Sequence, residues 1–250
     1  MQKIRLDKLL FERGIVPSRQ RAQALVLAGK VLVNGQKVEK TGATVDVGAE
    51  IRLLGPVSKY VSRGGQKLEH ALRYWQIPVE DRVCMDVGAS TGGFTDCLLQ
   101  HGARRVIAVD TGQGQIAYGL RNDARLRLLE KTNARYLTRE QVGEPVDLIT
   151  VDVSFISATL VLPAVVSAAF PESRDERQGR TLVVLVKPQF EAGREHVGKG
   201  GIVKDPEVQH QATEKIQRAV MMLGAVSTEV MESPILGAEG NREFLLYARF

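Results

Sequence analysis

The segment Val83-Cys84-Met85-Asp86-Val87-Gly88-Ala89-Ser90-Thr91-Gly92-Gly93-Phe94 limits the possible folds more than any other part of the chain. Val83, Met85 and Val87 alternate with smaller or polar residues, as in a strand, and Asp86 stands close to its end. Gly88, Gly92 and Gly93 follow at once, and residues without a Cβ allow both a tight turn and a close approach of backbone to a ligand. The turn is neither of the two familiar phosphate-binding kinds, because Ser90 replaces the second glycine of G-x-G-x-x-G and no Gly-Lys-Ser/Thr follows. What remains is D-x-G-x-x-x-G-G. In a doubly wound sheet the ligand lies beyond the carboxyl end of the first strand, and an acidic side chain about 20 positions on takes ribose hydroxyls. Asp110, which closes the apolar run 106–109, falls at that place. A strand-to-helix turn without a ligand would also use these glycines; the spacing to Asp110 favours the ligand.

Further strands are expected over residues 126–129, 146–151 and 182–186, with two last ones near 226–231 and 243–247. Between them the apolar periodicity predicts helices. One carries Leu68, Ala71, Leu72 and Trp75 and stops before Pro78; one runs from Phe94 through Leu98 and Leu99 to near Gly102; one opens at Asp205-Pro206 and reaches about Leu223. The uncharged stretch 155–171, short for a membrane span and interrupted by Pro163, reads as a buried helix. Strands alternating with helices require an α/β, doubly wound domain, here a seven-stranded sheet within residues 61–250.

The first 60 residues differ in charge. They hold 11 Lys/Arg against five Asp/Glu, whereas the other 190 hold 23 against 24, so the whole basic excess lies in the first quarter. Such clustering points to a polyanionic partner. Leu6 to Phe11 has helical spacing and is stopped by Gly14; a second helix is expected from a Ser18 N-cap, carrying Ala22, Ala24, Leu25 and Leu27 before Gly29. Asn34-Gly35 inside Val31-Leu32-Val33-Asn34-Gly35-Gln36-Lys37-Val38 signals a hairpin, and residues 50–54 a closing strand. Gly55-Pro56-Val57-Ser58 is a linker to the larger domain, placing the boundary at about 55–60. Cys84 and Cys97 are expected to be reduced core residues of a cytoplasmic protein, since no secretory leader is evident. The four scattered histidines show no ligand spacing, so no metal is expected.

R-L-D-K-L-L, S-R-Q-R-A-Q-A-L-V-L-A-G-K-V-L-V-N-G and the basic excess together resemble the S4 RNA-binding domain over residues 3–55. The resemblance implies that Arg5, Lys8, Arg13, Arg19, Arg21 and Lys30 form a face against folded RNA, a mode that recognises phosphates and shape. A solvated helix face is the plainer alternative for the same arginines. The glycine turn with Asp110 resembles motifs I and II of the S-adenosylmethionine-dependent methyltransferases of Rossmann-like, class I fold. That likeness implies S-adenosylmethionine as cofactor, held by Asp86, Gly88, Ala89, Ser90, Gly92, Gly93, Phe94 and Asp110, with Asn133 and Ala134 beside the adenine.

Within that class, the end of the fourth strand indicates the acceptor. Asp152-Val153-Ser154-Phe155 stands where enzymes acting on exocyclic amines carry Asp/Asn-Pro-Pro-Tyr/Phe, and no cysteine follows the fourth or fifth strand to serve carbon methylation. Oxygen methylation is left, and a ribose hydroxyl needs a base and an electrostatic setting that favours the alkoxide. Lys67 in the first turn of its helix opposes the macrodipole, so helix stability does not explain it. Lys67, Asp152, Lys187 and Glu243 lie at a helix head and at three strand ends, which converge on one side of such a sheet. The quartet resembles the Lys-Asp-Lys-Glu tetrad of FtsJ/RrmJ-type 2′-O-ribose methyltransferases. With S-R-G-G-Q-K-L, V-D-V-S-F-I-S and V-K-P-Q-F-E-A-G in order, the chain is similar throughout to the TlyA (hemolysin A) family. That implies 2′-O-methylation of cytidine in 16S or 23S ribosomal RNA, with Lys187 as base, Lys67 and Asp152 tuning it, and Glu243 or the nearby Glu239 completing the set. Residues 191–204, rich in glycine and charge, read as a lid or as a plain mobile loop. A non-catalytic RNA-binding assembly factor is the main alternative; a membrane-active hemolysin would need an inserting segment, and none is found.

Overall fold

The structure is a computed structural model that describes residues 2–16, 19–54, 59–237 and 239–250; the expected Ser18 cap, Gln20's side chain and the linker 55–58 fall outside the description. The chain divides into two compact units, Met1–Lys59 and Tyr60–Phe250.

The small unit comprises β1 (Lys3–Arg5), α1 (Leu6–Glu12), α2 (Arg19–Leu27), β2 (Val31–Val33), β3 (Gln36–Lys37), β4 (Thr44–Asp46) and β5 (Ile51–Leu53). β2 pairs with β3 through the expected Asn34-Gly35 turn, whose φ values of 50° and 78° suit a type I′ hairpin, and with β5 on its other side. β1 and β4 form a second, two-stranded sheet that periodicity does not reveal, since each is only three residues long. Leu6, Leu10, Ala22, Val26 and Val31 make the core. The buried face of α2 is therefore Ala22 and Val26, with Leu25 partly covered, whereas Ala24 and Leu27 are exposed.

The large unit contains α3 (Gly64–Tyr74), β6 (Val83–Val87), α4 (Gly93–Gln100), β7 (Arg105–Val109), α5 (Tyr118–Arg121), β8 (Leu126–Leu129), α6 (Arg139–Val142), β9 (Leu148–Val151), α7 (Leu162–Ala169), α8 (Arg174–Arg177), β10 (Thr181–Val186), α9 (Pro188–Glu191), α10 (Pro206–Met222), β11 (Ser227–Glu232) and β12 (Phe244–Arg249). Its seven strands run in the order β11-β12-β10-β9-β6-β7-β8; the five from β10 to β8 are parallel and β12 is antiparallel to both neighbours. Alternate residues serve opposite faces: Val83, Met85 and Val87 enter one apolar layer, and Cys84 the other. Both faces are covered, as a parallel sheet requires. Asp205 caps α10 by accepting from Glu207 N at 2.9 Å, with Pro206 at the first helical position as expected. The stretch 155–171 is not one helix. It begins as a loop and a 3-10 turn (Ala158–Leu160), and α7 starts only at Leu162, with Pro163 in the first turn, where a missing N–H costs nothing. Among the described residues no helix is long and apolar enough to cross a membrane.

Candidate active site

β6 is followed by β7 on one side and flanked by β9 on the other, so the crossovers diverge between β6 and β9 and leave a cleft at the carboxyl ends of the strands. Val87 lies opposite Val151, and Gly88 is thereby set beside Asp152. Gly88 has φ of +86°, and a Cβ there would sit 2.3 Å from the Asp152 carbonyl oxygen. Gly93 is likewise held by protein: a Cβ would meet Ser62 Oγ at 2.1 Å, where α3 crosses α4. Close backbone packing, more than approach to a ligand, requires these two glycines. Ser90, at φ of +49°, turns its N–H onto Asp110 Oδ2 at 2.7 Å, while Gly112 N donates to Oδ1 at 2.7 Å. Each Asp110 oxygen retains a lone pair for a further donor. Gly88, Ser90, Asp110, Asn133 and Ala134 line one cavity of about 500 Å³.

Two expected cofactor residues stand elsewhere. Gly92 is the N-cap of α4, and the buried Asp86 points into the α4 side of the sheet. Thr95 Oγ1 donates to Asp86 Oδ2 at 2.6 Å and Thr150 Oγ1 approaches Oδ1 at 3.3 Å. Its place in the strand, on the face opposite Val87, turns it from the cleft. Burial raises its pKa to about 7, against the opposing pull of the Thr95 hydrogen bond. A carboxyl raised above its unfolded value stabilises the fold below the unfolded pKa and loses that contribution as pH rises through about 7. Asp86→Asn is therefore expected to flatten the decline in stability between pH 4 and pH 8, which urea unfolding across that range would measure.

The register explains the second half of the site. Val186 pairs with Phe244, so Lys187, just after β10, stands opposite Glu243, just before β12. Asp152 follows β9, the other neighbour of β10. Lys187 Nζ lies 2.6 Å from Asp152 Oδ1 and donates to Ser154 Oγ at 2.8 Å. From the first turn of α3, buried Lys67 donates to buried Glu243. All four line a second cavity of about 530 Å³, which shares Gly88, Ser90 and Asp152 with the first. Ala89, Gly93 and Phe94 border it as well. The two cavities are lobes of one cleft, one suited to a nucleoside and the other lined by the two lysine–carboxylate pairs, with Arg63 and Glu239 besides. Of the two glutamates expected here, Glu239 is at the rim and exposed, whereas Glu243 is buried against Lys67.

Residues 60–250 match the FtsJ-like methyltransferase family and residues 4–51 the S4 domain. The chain belongs to the FtsJ-like methyltransferases. It is 45% identical over 249 residues to the 16S/23S rRNA (cytidine-2′-O)-methyltransferase TlyA of Mycobacterium tuberculosis, covering 99% of this chain and 90% of that one. It is 40% identical over 245 residues to hemolysin A of Brachyspira hyodysenteriae, covering 98% and 99%. A solved structure from Streptococcus thermophilus shares 41% identity with a TM-score of 0.74, covering 100% of this chain and 89% of that one.

Around the quartet, the FtsJ-like unit shows features to which the sequence motifs assign no role. Phe155 is 92% exposed, adopts φ of +64° and borders both lobes, its ring 5.3 Å from that of Phe190. The next residue but one after Lys187, Gln189, lines the quartet's lobe with a buried Oε1 that has no hydrogen-bond partner. Residues 191–204 are not a single free loop. Glu191 closes α9 and is buried, and Asn241 holds the far end, donating to Gly201 O at 2.8 Å and accepting from Val203 N at 3.0 Å. Val197 and Gly201 thereby face the lobe.

In the S4 unit, Asp7 is buried at the start of α1 and organises the basic face. Arg5 donates to it through Nε at 3.0 Å and Nη2 at 3.1 Å, Gln23 at 2.7 Å and Arg19 at 3.1 Å. The Arg5 guanidinium, first among these, holds the Asp7 carboxyl far below the usual carboxylate range. Arg5 and Arg19 are half exposed, so their remaining donors face outward in fixed positions. Lys30 is exposed, Arg21 partly so, and Lys8 pairs with Glu12 one helical turn on. Arg13 departs from expectation: it clamps the 47–49 turn, donating to Ala49 O at 2.8 Å and Val47 O at 2.5 Å, which commits its guanidinium to the fold.

Proposed function

We propose that the FtsJ-like unit transfers a methyl group from S-adenosylmethionine to the 2′-hydroxyl of a cytidine in ribosomal RNA, while the S4 unit binds that RNA. The observation that carries this reading is the meeting of the Lys187–Asp152 and Lys67–Glu243 pairs in one lobe of a cleft whose other lobe suits a nucleoside. When bound, S-adenosylmethionine supplies a sulfonium methyl to an oxygen nucleophile. Asp110 fits the ribose diol, since each of its oxygens has a second acceptor position, and Asn133 with Ala134 fits the adenine. Lys187, acting as the neutral amine, takes the proton from the 2′-hydroxyl as that oxygen bonds to the methyl carbon and the sulfur–methyl bond breaks, and the ammonium so formed is the species that Asp152 pairs. Asp152 and Ser154 hold its Nζ in one place, so the amine meets the oxygen without searching. Lys67, held by Glu243, adds a fixed positive charge near the developing alkoxide. The relatives named for 16S and 23S rRNA support ribosomal subunits as substrates, and hence action in the cytoplasm.

Exposed Phe155 offers a face on which the target nucleobase stacks once unstacked from its neighbours. Phe155→Ala is expected to lower kcat/KM for RNA about tenfold, within the range for loss of one base–aromatic stack, and to change cofactor affinity less; initial rates and calorimetry check this.

The reading is tested with methyl-labelled S-adenosylmethionine and separate small and large ribosomal subunits lacking the modification. Label on RNA, resistant to alkaline cleavage at one nucleotide, supports it. Absence of label from either subunit and from assembled ribosomes, despite measurable cofactor binding, turns the assignment to an RNA-binding assembly factor.

A further inference from the structure

Two loops carry the Lys187–Asp152 pair, and they are joined a second time. Lys187 leads into α9, and one turn later the carboxylate of Glu191, only 3% exposed, reaches across to the loop after β9. It accepts from Ser157 Oγ at 2.5 Å and from Ala158 N at 2.7 Å. Lys215 of α10 lies 3.1 Å from the same carboxylate and donates to the Glu191 carbonyl at 2.9 Å. Asp152 is five residues before Ser157 and Lys187 four before Glu191. The two loops therefore close a ring, with the Lys187–Asp152 contact at one end and Glu191 with Ser157 and Ala158 at the other.

The Lys187–Asp152 end opens into the cleft, with Asp152 partly in water, and Asp152 Oδ1 accepts no hydrogen bond. That ion pair holds Nζ only as firmly as the two loops that carry its members are themselves held. The Glu191 end is buried, and each of its carboxylate oxygens takes a short hydrogen bond. The rigid end of the ring is thus the one away from the chemistry.

We propose that Glu191, with Ser157 and Lys215, is a positioning residue that sets the distance and direction of Lys187 relative to Asp152 and so to the 2′-hydroxyl. The proposal rests on the methyl-transfer reading above. Displacing a reacting group by about 1 Å costs on the order of 100-fold in rate, so a loosened ring acts on kcat more than on substrate binding.

The test compares wild type, Glu191→Gln and Ser157→Ala by two readouts. Glu191→Gln retains shape and one acceptor but loses the charge opposite Lys215; Ser157→Ala removes the hydroxyl that donates to Glu191, together with its contacts to Thr159, and leaves the carboxylate in place. The first readout is amide hydrogen exchange of the protein alone, expected to accelerate at residues 153–158 in both variants and to stay unchanged in α4. The second is methyl transfer to the ribosomal subunit that wild type labels, with kcat expected to fall about 10- to 100-fold in Glu191→Gln and KM for RNA to stay within about twofold. Unchanged exchange at 153–158 overturns the brace, and faster exchange with unchanged kcat overturns its role in positioning. Should Glu191→Gln fail to fold, Ser157→Ala decides by the same two criteria. A wild type that labels no RNA overturns the methyl-transfer reading instead, and the exchange data still decide whether the brace exists.

Discussion

Lys187→Met is expected to reduce methyl transfer by about 10²- to 10⁴-fold, the range that a positioned general base supplies, while the protein stays folded and binds its cofactor. Two features make the loss specific. Lys187 belongs to the quartet's lobe and not to the one that holds Asp110 and Asn133. Its partner Asp152 is 23% exposed, so water takes over part of the solvation that the ammonium provided, and the unpaired carboxylate does not undo the fold. Lys187→Arg then separates proton transfer from charge. An arginine keeps the positive charge but does not give up its proton in proteins, so it is expected to be as inactive as the methionine variant. Single-turnover rates with saturating cofactor, beside the melting temperature of each variant, check both. An arginine variant with a tenth or more of wild-type activity would mean that the charge of Lys187 matters and its basicity does not.

The sequence is informative wherever a candidate site residue adjoins a long apolar run. Asp110, Asp152 and Lys187 each follow a strand that hydrophobicity alone marks out, and Glu243 directly precedes one. What joins them, the register of β9, β10 and β12, is set by pairings between segments tens of residues apart and is invisible to a local pattern. The surroundings that the sequence does not show have the same origin. Asp86 looked like a ligand residue because it stands beside the glycine turn, but the two-residue period of the strand sends it to the face shared with Cys84, against Thr95. Gly88 and Gly93 were legible as glycines that something requires, although their reasons, the Asp152 backbone and Ser62, come from other elements. Arg13 resembled its basic neighbours until its acceptors, 34 and 36 residues away, were in place. Glu191 lies at the edge of a charged stretch that reads as solvent-exposed, and only the fold brings Ser157, Ala158 and Lys215 around it.

Lys67→Met is expected to destabilise the FtsJ-like unit by about 3–5 kcal/mol, the cost of leaving one member of a buried ion pair without its partner. Glu243 is 3% exposed, and the other lysine of the lobe, Lys187, is already paired with Asp152, so the Glu243 carboxylate loses the partner that balances its charge. For a unit of this size such a loss lowers Tm by roughly 10 °C, measurable by calorimetry. Glu243→Leu, which strands the ammonium instead, is expected to cost a similar amount. Combining the two should return most of the stability, because an apolar pair of similar volume often replaces a buried ion pair at little or no cost. The double-mutant cycle will then show strong coupling in stability. Activity is expected to behave otherwise: the restored fold has no fixed cation beside Lys187, and methyl transfer stays as low as in the single variants. That divergence distinguishes a pair kept for chemistry from one kept for structure. A double variant that regains both stability and rate would remove Lys67 and Glu243 from the reaction and leave Lys187 with Asp152 to perform it.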